Sequence, residues 1–252
     1  MINSGQYVVE SNLSKAWAKA FLLSMKRRDV SPLVVTVTGF ANGQPFEDSR
    51  IRKALDSALR SHDCHECNTV ANTIFPSFWR PGMQRAELFQ RYLEILPRLR
   101  KHPANRHGIY FERMISYDAA GLNQLEHVVE TWTRGNHRRS ALFVAIVDPL
   151  RDHSHQRRRG FPCLLHASFA FDGPGGLSIT GFYATQYIFE RAYGNYLGLC
   201  RLGRFMANAL GLELRRMTCV TTLAQRGDMP KNSLAKLVAI ANAVLQGSER
   251  EE

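Results

Sequence analysis

The sequence predicts an α/β (α+β) fold in which a mixed β-sheet is flanked by helices. Segments with helical spacing alternate with segments of strand character along the chain, an order typical of such folds. The composition, 44% hydrophobic and 22% charged, is ordinary for a globular protein. No internal repeat or linker interrupts the 252 residues before a charged tail. We therefore predict one domain over residues 1–246 and a tail over 247–252.

Helical spacing is clearest near the start of the chain. An apolar residue recurs there at every fourth position, which predicts an amphipathic helix over residues 12–28: Leu13, Trp17, Phe21 and Met25. Similar patterns predict further helices at residues 49–59, 84–96, 122–133, 188–210 and 233–245. In the longest of these helices we expect four side chains to point inward: Tyr196, Leu199, Leu202 and Met206.

Strands are predicted where β-branched and aromatic residues cluster between turn residues. These segments are 33–40, 141–147, 163–171 and 176–184. The sequence DGPGG at 172–176 predicts a hairpin-like turn between the last two. Strands and helices are thus interleaved over the whole chain.

The charge and the apolar runs indicate the class of partner. The formal net charge is +11, which favours an anionic partner such as a nucleotide or a nucleic acid. The longest apolar runs fall far short of the roughly 20 residues that cross a bilayer. The N-terminal residues lack the apolar core of a signal peptide. We expect a cytoplasmic protein with no membrane partner. The basic run HSHQRRRG at 153–160 is equally consistent with a solvated loop and a ligand-facing one.

The five cysteines do not predict a disulfide framework, because their number is odd and the chain is long. Cys64 and Cys67 form a CxxC pair that a zinc ion could use, yet no second pair of ligands follows. We therefore predict no metal site and interpret this segment as the entry to a helix.

Cys163 is the candidate nucleophile. It follows a proline in FPCLLH at 161–166 and comes about two dozen residues after the paired arginines Arg138 and Arg139. Guanidinium charge favours a thiolate, and adjacent arginines bind a phosphate or carboxylate through several charge-assisted hydrogen bonds. Without further context the cysteine is more often an inert core residue, and the arginines are as often a surface pair.

The order of motifs in the second half of the chain resembles the thymidylate synthase superfamily. NHRRS at 136–140 is similar to its double-arginine segment, and FPC at 161–163 to its catalytic proline and cysteine. The stretch from Leu177 to Asn195 fits the family's spacing without a gap, and HGIY at 107–110 resembles a more weakly matched GPVY segment. The resemblance implies a thymidylate synthase-like single domain.

The resemblance also implies a reaction and a site. In that family a cysteine adds to C6 of a pyrimidine nucleotide, so that C5 accepts a one-carbon unit from 5,10-methylenetetrahydrofolate. Cys163 would be the nucleophile, Asn195 would bind the base edge, and Arg138 and Arg139 would reach the phosphate in the neighbouring subunit of a homodimer. The other substrate-binding residues that the resemblance implies are Thr185 and Tyr110.

The chain departs from the family pattern at several positions. Ala184 stands where the family has a phosphate-binding arginine, and Tyr187 where it has an aspartate. A weaker alignment places Asn72 at the position of a catalytic glutamate, so that proton transfer is either altered or supplied by Glu66 or Glu112.

These departures leave three functions open. The first is C5 methylation or hydroxymethylation of a pyrimidine nucleotide. The second is a catalytically altered protein that binds a nucleotide or nucleic acid, and the third is an interaction subunit of a larger assembly.

Overall fold

A mixed β-sheet runs through the computed structural model, which describes residues 6–155 and 162–248. Its strands lie in the order β1-β3-β9-β8-β7-β6, and the short β2 pairs with β9. Strands β4 and β5 form a separate small hairpin. The bounds are β1 Gln6–Glu10, β2 Asp29–Val30, β3 Leu33–Val37, β4 Phe40–Ala41, β5 Gln44–Pro45, β6 Phe143–Ala145, β7 Leu164–Phe171, β8 Gly176–Tyr187 and β9 Glu213–Gln225.

Strands β8 and β9 form the centre of this sheet and pair in parallel. Strand β7 is antiparallel to β8, as the DGPGG turn predicts, and β6 is antiparallel to β7. On the other side β3 is antiparallel to β9, and β1 is parallel to β3. The predicted mixed sheet is confirmed.

The predicted helices are confirmed with small shifts at their ends. Asn12 caps the first helix by accepting hydrogen bonds from two backbone N–H groups. Additional short helices lie between the predicted ones. The bounds are α1 Leu13–Lys26, α2 Ser49–Ser61, α3 Cys67–Ile74, α4 Arg85–Arg100, α5 Tyr110–Ile115, α6 Gln124–Arg134, α7 Pro149–Asp152, α8 Tyr193–Leu210 and α9 Ala235–Ser248.

Helix α8 is the central helix of the core. The four side chains that the sequence predicts to point inward are all buried. Gly194 and Gly198 let α8 approach α3 closely, because an added Cβ at Gly194 would lie 2.7 Å from the carbonyl oxygen of Cys67. On the sheet side, Leu199 packs against Gly181 and Gly203 lies over Ile179. Helix α8 therefore runs back along β8, so that its first turn lies near the carboxyl end of that strand.

The two faces of the sheet differ in what covers them. On β8 the alternate residues Leu177, Ile179 and Tyr183 are buried beneath the described helices. The other set faces away from those helices and is only partly buried: Ser178, Thr180, Phe182 and Ala184. The same alternation holds on β1, on β3 and over residues 217–221 of β9. Among the described residues, one face of the sheet is thus left without a helix layer.

A buried ion pair fixes the chain just before the residues that lead to Cys163. Arg113 donates to both carboxylate oxygens of Asp152 at 2.7 and 2.8 Å and to the carbonyl oxygen of Ile146. Both side chains are at most 4% exposed. Removal of either partner would leave an uncompensated buried charge, so this pair holds α7 against α5 and the end of β6.

Five strands and the tail differ from the sequence prediction. The long central strand β9 was not predicted, and neither were the shorter strands β1, β2, β4 and β5. Helix α9 continues to Ser248, two residues past the predicted start of the tail. Most of the basic run at 153–160 and the last four residues of the tail lie outside the described residues. No described helix is long and apolar enough to cross a membrane.

Candidate active site

Cys163 lies immediately before β7 and is half-buried. Its carbonyl oxygen accepts a hydrogen bond at 3.0 Å from the backbone N–H of Ala184 on β8. Its own N–H donates to the hydroxyl of Tyr110 at 3.4 Å. Contacts on both sides of the peptide hold the backbone of this cysteine, so the thiol has a defined position.

Thr185 is the hydroxyl neighbour of the thiol. Its Oγ1 donates to the Sγ atom of Cys163 at 3.6 Å, and the side chain is exposed. Such a donor stabilises negative charge on sulfur. The structure therefore brings together Cys163 and Thr185, which are separated by 22 residues in sequence.

Tyr110 is the first residue of α5 and packs behind the cysteine. Burial raises the pKa of Tyr110, and the nearby Cys163 raises it further. The phenol therefore stays protonated at neutral pH and remains both a donor and an acceptor. The weakly matched HGIY segment thus supplies a residue in contact with the candidate nucleophile.

Asn195 is in the first turn of α8 and is only 5% exposed. Its side chain has no hydrogen bond to any residue that the structure describes. Leu199, one turn later on the same helix face, packs on Gly181, so Asn195 lies toward the part of β8 that carries Tyr183 and Thr185. An unpartnered amide offers both a donor and an acceptor to a ligand.

A buried polar cluster lies beneath these residues. The Oε1 atom of Gln186 accepts hydrogen bonds at 3.3 Å from Tyr196 and from Thr221, and Cys219 lies within 3.9 Å. Tyr183 is nearby, and its buried hydroxyl has no partner among the described residues. Burial raises the pKa of both Tyr183 and Cys219, the latter to about 12, so both remain neutral. The cluster gives the site an uncharged polar floor.

Arg191 supplies positive charge near the site. It lies in the π-helical turn Ile188–Ala192 before α8 and is exposed. Burial raises the pKa of Tyr110 and lowers the pKa of His65. The guanidinium of Arg191 is close enough to both to act on them, and it favours a lower pKa in each. The sequence prediction assigned no role to Arg191, although it lies within the matched stretch between Leu177 and Asn195.

The structure does not bring Arg138 and Arg139 to Cys163 within one chain. Leu142 accepts a hydrogen bond from Phe169 across the β6–β7 pair. Six residues of extended chain separate Phe169 from Cys163, a distance of about 20 Å. Both arginines are exposed in or beside the turn that precedes Leu142, so they lie at the opposite end of β7 from the thiol.

The residues proposed for proton transfer have structural partners. Asn72 accepts a hydrogen bond from Arg201 at 3.1 Å and another from the N–H of Ser77. Glu66 is bonded to Arg60, and the buried Glu112 is paired with Arg100. Each of these three side chains is therefore held by a contact outside the Cys163 site.

The CxxC segment forms the start of α3, as predicted. Cys67 is buried as the first residue of that helix, and its N–H donates to Asp56 at 2.9 Å. Burial raises the pKa of Cys67 far above its ordinary value, which disfavours the thiolate that binds zinc. Within residues 6–155 and 162–248, no group of three or more potential ligands is placed to hold a metal ion.

Comparison with known protein families and with curated protein sequences gives no match to this chain. The function must therefore be inferred from the geometry around Cys163.

Proposed function

We propose that this protein is a thymidylate synthase-like enzyme that transfers a one-carbon unit to C5 of a pyrimidine nucleotide. The observation that carries the proposal is the meeting of Cys163, Thr185 and Tyr110 at one end of β8. The unpartnered amide of Asn195 is directed toward the same end of that strand. A nucleophile, a donor to its sulfur and a free amide are the groups that covalent activation of a pyrimidine requires.

In the proposed reaction the Cys163 thiolate forms a bond to C6 of the base. The electron pair of the C5–C6 double bond moves onto C5 and the adjacent carbonyl, which makes C5 nucleophilic. After C5 had bonded to the one-carbon unit, its proton would pass to solvent and the C–N bond to the donor would break. Hydride from the donor, or water, would then add to the exocyclic methylene, the sulfur would leave C6 and the C5–C6 double bond would form again. The hydroxyl of Thr185 stabilises the thiolate before attack and after release.

Asn195 would select the base. Its amide hydrogen-bonds the O4 and N3–H edge of a uracil through one acceptor and one donor, whereas a cytosine presents the opposite pattern. An amide that no neighbour orients could match either base by turning over, so the expectation of a uracil nucleotide rests on the resemblance to the family. Whether the product is methylated or hydroxymethylated depends on whether hydride or water reaches the intermediate.

The phosphate site would be completed by a second copy of the chain. Arg191 is on the same side as the thiol, but Arg138 and Arg139 lie at the far end of β7. A two-fold axis between two sheets, perpendicular to their strands, would place these arginines near the partner's Cys163. The uncovered sheet face suits such an interface, because most of its side chains are apolar or hydroxyl-bearing: Val34, Thr36, Phe143, Thr180, Phe182, Thr218 and Val220.

The one-carbon donor that the resemblance implies is 5,10-methylenetetrahydrofolate. When bound, it would supply a one-carbon unit at the oxidation level of formaldehyde. A planar pterin requires an exposed flat surface near the pyrimidine. Tyr187 fits this requirement, because its side chain is 46% exposed at the end of β8, two residues after Thr185.

The proposal is tested by tritium release from C5-labelled dUMP, UMP, dCMP and CMP in the presence of methylenetetrahydrofolate. We expect release from at least one uracil nucleotide and a loss of at least about a thousandfold in Cys163→Ser. Cys64→Ser is the matched control, because Cys64 is also half-buried and its thiol donates to the carbonyl oxygen of His62. Release that persists in Cys163→Ser would exclude the mechanism.

The engagement of Asn72 by Arg201 favours a second candidate, in which the pocket binds a nucleotide without turnover. Calorimetry distinguishes the two functions. Nucleotide binding by the wild-type protein without any C5 tritium release would identify it as a binding protein, and salt-dependent binding of RNA or DNA would identify a polymeric ligand.

A further inference from the structure

A cavity of about 340 Å³ lies between α8, α3 and the β4–β5 hairpin. Its volume is at the lower end of the range of small-molecule sites. Cys163 and Asn195 are not among the residues that line it: Gly43, Gln44, Pro45, Glu47, Arg52, Asn68, Phe75, Pro76, Ser77, Trp79, Leu197, Arg201 and Arg204. The function proposed for the Cys163 end of α8 does not use this cavity.

Arg201 is held in this cavity by neutral partners. Its two terminal nitrogens donate to the side-chain oxygens of Asn72 at 3.1 Å and of Asn68 at 2.7 Å. No described carboxylate forms an ion pair with it, and burial lowers the pKa of its guanidinium. A guanidinium has five N–H donors, so Arg201 retains donors for a ligand after both asparagines are satisfied.

Arg204 follows three residues later on the same side of α8. Its guanidinium lies 5.8 Å from the centre of the Trp79 ring and has no hydrogen bond to a described residue. Its stem packs under the hairpin, because a Cβ at Gly43 would lie 2.6 Å from Cγ of Arg204. Residues three apart on a helix have Cβ atoms about 5–6 Å apart, so both guanidiniums can contact one anion.

Trp79 lines the cavity and can report on its occupancy. Its indole N–H is buried and has no hydrogen-bond partner within the described residues. The ring packs edge-on against Phe75 and Phe205, which fixes its orientation. Because the N–H is buried, a ligand in the cavity would change its signal through the ring that lines the cavity, and the contacts that hold the anion come from the two arginines.

The other charged residues of the cavity lining are Arg52 and Glu47, one of each sign, and Asp56 outside the lining is a second carboxylate on Arg52. Arg52 donates to Glu47 and to Asp56, each at 2.8 Å, and Glu47 also accepts from the hydroxyl of Tyr193 at 2.6 Å. These contacts leave Arg201 and Arg204 as the cations of the cavity lining without a described carboxylate partner. The cavity therefore has an excess of positive charge and of hydrogen-bond donors.

We propose that this cavity is a second binding site, which takes the phosphate group of a small phosphorylated molecule between Arg201 and Arg204. Planar guanidiniums bind phosphate through paired N–H donors, and two of them match its double charge better than that of a monocarboxylate. The aromatic wall of Phe75 and Trp79 accommodates the organic part of the molecule.

The first experiment titrates the full chain with inorganic phosphate and follows the indole N–H signal of Trp79 by NMR. The signal is assigned from its absence in Trp79→Phe. We expect a saturable shift with a dissociation constant in the millimolar range or tighter. In Arg204→Gln this constant should increase at least about tenfold, because a charge-assisted contact is lost. No shift up to about 20 mM phosphate, or an unchanged constant in Arg204→Gln, would overturn the proposal.

Two controls separate this site from other anion sites. Arg98→Gln removes the same charge from an exposed position on α4 and should leave the titration unchanged. Arg138→Gln with Arg139→Gln should also leave it unchanged, since those residues belong to the function proposed above. If the Trp79 shift is lost in the Arg138/Arg139 variant, phosphate acts from the other site and the second site does not exist.

The class of ligand is tested with phenyl phosphate and benzoate. Phenyl phosphate should shift the Trp79 signal with a dissociation constant at least as low as that of inorganic phosphate, and benzoate should bind at least about tenfold more weakly. Equal binding of benzoate and phenyl phosphate would show that the cavity does not select phosphate, and the proposal would fail.

Discussion

Two regions of helix α8 lie beside two candidate sites that differ in where their arginines come from. At its N-terminal end, Cys163 and Asn195 belong to one chain, while the paired Arg138 and Arg139 lie about 20 Å away along β7. In its middle, Arg201 and Arg204 are part of the helix itself and line a cavity of the same chain. In the proposed function the first site would acquire its arginines from a second protomer, whereas the proposed second site would be complete in one chain.

This difference follows from where each arginine is attached. Arg201 is held in place by Asn68 and Asn72 of the neighbouring helix, so a single folded chain fixes its position. Arg138 and Arg139 extend from a short turn and are exposed. Exposed arginines contribute little to stability through surface ion pairs, so their charge would have a larger effect if a partner chain or a ligand bound them.

Complementation between two inactive variants gives the largest expected effect. Cys163→Ser and the double variant Arg138→Gln/Arg139→Gln should each be inactive in the tritium-release assay. In a mixed dimer one of the two sites contains neither defect, so an equimolar mixture should regain about a quarter of the wild-type activity. The measurement is made after subunit exchange.

The matched control mixes Cys163→Ser with wild-type protein, which should only dilute the activity. A mixture of the two variants that stays inactive after subunit exchange would refute the shared site. That result would not bear on the proposed binding of phosphate at the Arg201 cavity.

A charge on the uncovered sheet face gives the next largest effect. Phe182 stacks on His166 on this face, with ring centres 4.3 Å apart. Phe182→Asp would place two carboxylates near the two-fold axis of a dimer. We expect the dimer dissociation constant to increase by at least about a hundredfold, as it does for truncation of a central interface residue.

Analytical ultracentrifugation over a range of concentrations measures this change. Leu150→Asp adds the same charge at a side chain that is 98% exposed on α7, and should leave assembly unchanged. The phosphate titration of Trp79 should be the same in both variants. If Phe182→Asp remains as dimeric as the wild-type protein, the uncovered face is not the interface.

Some elements of the fold could be predicted from the sequence and others could not. Helix α1 and helix α8 were found because their apolar residues recur at helical spacing and tertiary burial agrees with it. Strand β9 was missed, although Met217, Cys219 and Thr221 alternate inward, because polar residues occupy both faces of its ends. Its place in the sheet depends on pairing with β3 and β8, which a local pattern does not contain.

The candidate sites show the same limit. Thr185 and Asn195 lie in the stretch of continuous motif spacing from Leu177 to Asn195, and Cys163 lies in the separate FPC motif, so sequence could relate them. The cavity draws Trp79, Arg201 and Gly43 from three separate segments, and none of them lies in a motif. Arg191 lies within the motif, but its proximity to Tyr110 depends on how the π-helical turn directs its side chain.

Glu190, in the turn before α8, gives the smallest expected effect. Burial raises the pKa of its carboxyl, and its Oε2 atom has no hydrogen-bond partner among the described residues. A raised pKa in the folded state means that the group's contribution to stability is fully present below its unfolded pKa. That contribution is lost as the pH rises through the folded pKa. Folding at neutral pH is therefore less favourable at this carboxyl than folding at acidic pH.

Glu190→Gln should accordingly increase the free energy of unfolding at pH 7 to 8, and the increase should disappear as the pH falls below the ordinary pKa of a glutamate. Urea denaturation at a series of pH values measures it. Glu213→Gln, which makes the same change at an exposed position on β9, is the matched control. A stabilisation that grows as the pH falls would have the opposite sign and would contradict the assignment. The phosphate titration of Trp79 should be unchanged in Glu190→Gln, because the cavity lies further along α8 and its cations remain charged throughout this pH range.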